Sequence, residues 1–235
     1  MRKVILTLSF FNIFQLYADD LVVAAAADLR PLEKPLTEAY NRRSRHRVRF
    51  TFGSSGMLAG QIRNGAPYDL FLSANEQYTQ ELVSAGVLEP DSVRLYALGR
   101  VGLYGVKTVA ELRNPGIQHI AVPNPKHAPY GVAAEEILRR AGLLETLRPK
   151  IVYGENVSQT FEYARTGNAE ACLTSWTLVK DAGGVLIPAS QHDPVRQSAG
   201  IVKGTPHAAA ARDFLTLLLS PDGQTVLIRG GLNVP

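Results

Sequence analysis

An α/β architecture with largely parallel sheets, folded into two lobes around a cleft, is what this sequence predicts. Three observations predict it. Short apolar runs of strand character alternate with helix-spaced segments along the chain. Four turns that run into helix-like stretches, at 26–29, 53–56, 128–131 and 155–158, fall as one early pair and one central pair. No repeat, low-complexity segment or Pro/Gly/Ser-rich linker divides the sequence, so strands rather than a loose tether must join the lobes.

Residues 21–25 form a continuous apolar run of strand type, and 29–40 follow with helical spacing. Val48, Phe50 and Phe52 alternate with polar neighbours as a strand should, and 57–63 read as a helix. A short apolar strand is expected at 68–72, then a helix at 76–85 closed by Gly86. Residues 93–104 suggest one long strand or a strand pair, and 119–122 a buried strand ahead of Pro123. A helix over 131–141 ends at Gly142, a strand occupies 151–153, and a helix over 157–165 stops before Gly167. Strands at 171–175, 185–188 and 200–203 precede two closing helices, 208–219 and 223–229, separated by Ser220-Pro221-Asp222.

With 46% apolar and 20% charged residues in 235, the chain is globular rather than disordered. Its formal net charge is +4, and Arg42-Arg43-Ser44-Arg45-His46-Arg47 holds much of the local excess. No aromatic residue interleaves that run, so it reads as a solvated face and no nucleic-acid partner is expected. Arg2-Lys3 followed by an apolar stretch over 4–14 has the form of a signal peptide, assigned to 1–18. Cleavage is expected after Ala18, although Leu16 at position −3 is larger than usual. The stretch is too short for a comfortable membrane span, and no cysteine follows it to carry a lipid. A free periplasmic protein is therefore expected. The lone Cys172 cannot form an intramolecular disulfide and falls in a run of buried-strand type.

The chemistry lies in the four turn-to-helix segments: Ala26-Ala27-Asp28-Leu29, Gly53-Ser54-Ser55-Gly56, Ala128-Pro129-Tyr130-Gly131 and Glu155-Asn156-Val157-Ser158. Each places small residues, hydroxyls or glycine where a helix exposes unpaired N–H groups. Such ends favour anions, because the free donors and the helix dipole both attract negative charge. One would be ordinary. Four, at the carboxyl ends of strands where α/β sheets hold their ligands, imply convergence on a single oxyanion.

Other chemistry finds less support. Gly53-Ser54-Ser55-Gly56-Met57 lacks the glycine spacing of a nucleophile elbow. The five histidines show no metal-like i, i+3 or i+4 pairing, and His127, just before the third segment, is assigned to a surface loop. Glu135-Glu136 ahead of Arg139-Arg140 has the spacing of surface ion pairs. Tyr68 and Trp176 read as packing residues. No enzyme, cofactor or catalytic residue is expected, since neither a nucleophile–base pair nor a cofactor motif is present.

Several of these blocks, in order and at matching spacing, resemble the periplasmic molybdate-binding proteins of ABC importers. They are 23–29, Phe52-Gly53-Ser54-Ser55-Gly56, the block from Asn64 to Ala74 that reads Asn-Gly-Ala-Pro-Tyr-Asp-Leu-Phe-Leu-Ser-Ala, Asn124-Pro125, Ala128 to Ala133, and Glu155-Asn156-Val157. The likeness covers the chain from about residue 20. It implies the type II periplasmic binding-protein fold (ModA-like), with one lobe from 20–99 plus 203–235 and the other from 100–202. It also implies a tetrahedral dianion, molybdate or tungstate, held by hydroxyls and backbone N–H groups without Arg or Lys. By position, Ser55 (beside Ser54) gives its hydroxyl and N–H, and Tyr130 and Val157 each give an N–H. Ala27 and Asp28 fall at the first-strand turn donors. An ABC permease with its ATPase is the implied partner, and a monomer the implied state.

Two positions depart from that pattern. Asp28 stands where relatives have Ser or Asn, and a carboxylate cannot donate to a dianion. It is expected to turn away and cap its own helix, leaving its N–H to the ligand. Otherwise the site takes another small anion or a protonated one, as a same-fold binder or sensor. Ser175 falls near a position where some relatives supply a Tyr hydroxyl; it serves as a shorter donor or as an ordinary strand-end residue.

Overall fold

The computed structural model describes residues 20–235; the signal peptide assigned to 1–18 lies outside them. The first sheet is built from β1 (Asp20–Ala26), β2 (Arg47–Gly53), β3 (Leu70–Ser73) and β4 (Arg94–Gly99). The second takes β5 (Val101–Tyr104), β6 (Ile120–Pro123), β7 (Ile151–Gly154), β8 (Ala171–Ser175) and β9 (Val185–Leu186). The last strand, β10 (Val195–Ile201), returns to the first sheet. The strand orders are β2-β1-β3-β10-β4 and β7-β6-β8-β5-β9, parallel except where β10 and β5 run against their neighbours.

Nine α-helices lie among the described residues: α1 (Glu33–Asn41), α2 (Ser55–Arg63), α3 (Glu76–Ser84), α4 (Pro129–Arg140), α5 (Leu144–Leu147), α6 (Val157–Arg165), α7 (Trp176–Val179), α8 (Ala208–Leu219) and α9 (Pro221–Arg229). They cover both faces of each sheet. On β1, Leu21, Val23 and Ala25 point to a core with Leu36, Tyr40, Phe214 and Leu218 of α1 and α8. Ala24 points the other way, to Leu58 and Ile62 of α2 and Leu82 of α3. This two-sided burial is why β1 reads as a continuous apolar run. The second lobe repeats the plan, with Ile120 and Val122 against α4 and Ala121 with Cys172 on the opposite face. Cys172 is fully buried, and burial pushes its thiol up to about 12.

The chain crosses between lobes at the β4–β5 junction and again between β9 and β10. The second crossing corrects the boundary drawn from sequence, which counted Val195–Ile201 with the second lobe. Only 200–203 had strand character, because Gln197 and Ser198 look out of place in a core. Both are buried because each has a partner: Ser198 Oγ lies 2.7 Å from Thr79 Oγ1, and Gln197 joins a network with Asp28, Tyr130 and Tyr96.

Register decides what meets in the middle. Ala26 pairs with Gly53 across β1 and β2, and Pro123 pairs with Gly154 across β6 and β7. Each lobe therefore starts two turns side by side at the carboxyl edge of its sheet. At the third turn Gly131 is required by contact, because a Cβ there would overlap the carbonyl oxygen of Pro123.

Candidate oxyanion site between the lobes

All four turns border one small cavity. Its lining includes Ala27, Asp28, Ser54, Ser55, Tyr130 and Val157, with a volume of about 10 Å³, room for roughly one water. The lobes are closed over it. Gly56 N–H donates to the His127 carbonyl at 2.9 Å, and His127 Nδ1 lies 3.0 Å from Ser54 Oγ. Ser158 Oγ donates to the Ala27 carbonyl at 3.3 Å, and Thr177 Oγ1 to the Asp28 carbonyl at 2.7 Å. His127, assigned from sequence to a surface loop, is thus an interlobe contact.

The donors follow from local structure. Ser54 occupies the N-cap of α2 without a side-chain cap bond, so Ser55 opens the helix with an N–H that has no acceptor in its own helix. Ser55 Oγ accepts the Ala74 N–H at 2.8 Å, which leaves its own proton to donate. Pro129 begins α4, so Tyr130 N–H is the first available donor of that helix. Asn156 caps α6 and takes the N–H groups of Ser158 and Gln159 at 2.9 and 3.1 Å. The cap leaves the Val157 N–H as that helix's outward donor. Neither Arg nor Lys lines the cavity.

Asp28 and Ser175 do not behave as expected. Ala26, not Asp28, occupies the cap position of the 3₁₀ turn Ala27–Leu32. Asp28 is the second residue of that turn, which has no side-chain cap bond, and it is fully buried. Its Oδ2 accepts Tyr130 Oη at 2.9 Å and Gln197 Nε2 at 2.5 Å. Burial raises its pKa from 3.8 to about 6, against the pull of hydrogen bonds from Gln197, Tyr130 and its own N–H. Gln197 in turn accepts from Tyr96 Oη at 2.8 Å. Ser175 is absent from the cavity lining; it caps α7, accepting the Thr177 N–H at 3.3 Å, and supports the Tyr130 hydroxyl. It sits behind the site, where its short side chain serves Tyr130 and Thr177.

Sequence reasoning missed the side chain of Tyr130, Gln197, Tyr96 and the capping role of Asn156. Only Asn156 left a signal, an Asn directly before a helical segment. A much larger groove, about 910 Å³, lies elsewhere on the first lobe beside Arg49, Arg63, Lys203 and His207. Its buried carboxylate, Asp69, is already engaged by Val22 N–H, Thr205 and His207, and one helix start, that of α8 after His207, borders it.

Residues 21–233 match the model of the bacterial extracellular solute-binding protein family. The molybdate-binding protein ModA of Rhodobacter capsulatus is 32% identical over 222 residues, covering 91% of this chain and 88% of the relative. The solved periplasmic molybdate-binding protein of Azotobacter vinelandii superposes with a TM-score of 0.85 at 30% identity, covering 92% and 99% of the two chains. The sulfate-binding protein SubI of Mycobacterium tuberculosis shares the fold, with a TM-score of 0.75 at 16% identity. The architecture is the two-lobed type II periplasmic binding-protein fold, and these relatives are binders, not enzymes. The chain belongs to the bacterial extracellular solute-binding proteins.

Proposed function

We propose that this protein is the extracytoplasmic binding subunit of an ABC importer and that it captures molybdate, with tungstate as an equivalent ligand. The observation that carries the reading is the convergence of helix starts from both lobes on a cavity lined by neither Arg nor Lys. A dehydrated dianion needs its lost water replaced by many donors, and fixed backbone N–H groups are oriented beforehand, so little ordering entropy opposes binding. The Ser55 hydroxyl and the backbone N–H groups suit a fully deprotonated oxyanion, whereas the Asp28 carboxyl is the one side-chain group that could accept the O–H of hydrogen phosphate, so phosphate belongs in the test. The closed cavity has room for roughly one water, so any tetrahedral anion must part the lobes to enter, and titration separates molybdate and tungstate from the smaller sulfate. The ModA relatives support the same ligand by likeness.

Closure is the signal in this reading. A ligand that favours the closed state shifts its population, and the permease with its ATPase reads that state from a monomeric periplasmic partner. Calorimetric titration with molybdate, tungstate, sulfate and phosphate tests it. Tight binding of the first two with weak or no binding of the others is expected; preference for phosphate or sulfate contradicts it. Asp28 favours a second reading, a binder of another small anion with altered specificity, and binding of none of the four would support that.

A further inference from the structure

Asp28 borders the same cavity as Ser55, Tyr130 and Val157 and is wholly shielded from solvent. A carboxylate accepts hydrogen bonds and carries negative charge, whereas a dianion needs donors. Two donors, Gln197 Nε2 and Tyr130 Oη, hold its Oδ2. Oδ1 is buried with no hydrogen-bond partner among the described residues. The groups facing this carboxyl are its own N–H, the hydroxyls of Tyr130 on α4 and Tyr96 on β4, and the amide of Gln197 on β10. Thr177, on α7, donates to the Asp28 carbonyl and not to its carboxyl. On its own turn Arg30 is exposed and stacks over Phe52. No charged side chain of α1, α6, α7 or β2, which pack on this turn, acts on the carboxyl.

Building on the proposed oxyanion ligand, we infer that Asp28 enters the complex as the neutral carboxylic acid, its unpartnered oxygen carrying the proton, so that each dianion bound takes up one proton from solvent. The charge balance is simple: carboxylate, proton and dianion become a neutral acid beside the dianion, and like-charge repulsion is removed. The closed lobes already incline it this way, with the carboxyl held at about 6 by burial. Above that value the free carboxyl is mostly ionised, so binding must supply the proton. Apparent affinity then falls up to tenfold per pH unit.

The test is calorimetric titration with micromolar molybdate at pH 8 and pH 6, repeated in buffers of different ionisation enthalpy. Uptake near one proton per anion at pH 8 and a smaller uptake at pH 6 is expected. Asp28→Asn should bind with uptake near zero and an affinity flat across that range. His127→Gln, whatever its affinity, should keep the uptake, which separates Asp28 from the imidazole at Ser54. Binding by the unsubstituted protein without uptake overturns the inference alone, as does uptake that survives Asp28→Asn and vanishes in His127→Gln. Absence of binding by every variant at both pH values removes the oxyanion reading and this inference together.

Discussion

At Ser55 one hydroxyl serves two neighbours. It accepts the Ala74 N–H and keeps its proton for the cleft. Ser55→Ala should therefore cost about 1.5–3 kcal/mol of molybdate affinity, as for a hydrogen bond to a charged group, measured by calorimetry. Asp28 titrates with a definite sign. Its pKa is raised from 3.8 to about 6, so the folded protein holds the proton more tightly than the unfolded chain. That stability is fully present below pH 3.8 and is lost as pH rises through about 6, on the order of 3 kcal/mol in all. Asp28→Asn has no such titration, so its stability relative to the unsubstituted protein should climb between pH 4 and pH 7 in urea unfolding. A constant difference across that range would contradict the assignment. The sequence flagged Asp28 as discordant but gave the wrong remedy. A cap is a local interaction that sequence can suggest, whereas the bonds to Tyr130 and Gln197 span 102 and 169 residues.

Among elements, the two parallel pairs β1–β2 and β6–β7 do most of the positioning, because their register sets two helix starts beside each other in each lobe. Both pairs were legible, since apolar or alternating strands running into a turn and a helix-spaced segment are a local pattern. Strand β10 was legible only at its end, because its polar Gln197 and Ser198 are buried through partners on β1's turn, α3, α4 and β4. Helix α6 depends on its cap. Asn156→Ala should lower stability by about 1 kcal/mol and weaken anion binding by loosening the Val157 N–H, read by urea unfolding and calorimetry on the same sample.

For the whole molecule, function requires the lobes to meet, and Gly56 marks where they do. A Cβ there would lie 2.9 Å from His127 Cβ across the cleft, and 2.7 Å from Tyr78 Oη of its own lobe. Gly56→Ala should hold the lobes apart, enlarging the radius of gyration of the liganded protein in X-ray scattering and lowering affinity while the fold persists. An unchanged radius with full affinity would show that closure does not need this contact. The two-lobed plan was readable from the alternation of elements and the paired turns. The closed contacts through His127 were not, because they depend on the angle between lobes, which no local pattern encodes.

The most direct measurement is X-ray diffraction from crystals grown with molybdate, with data collected at the molybdenum absorption edge. The account predicts one anomalous peak between the lobes, within hydrogen-bond reach of Ser55 Oγ through its oxygens and of the Ser55, Tyr130 and Val157 N–H groups. A peak in the groove beside Arg49, Arg63 and Lys203 instead, or none at the helix starts, would contradict it.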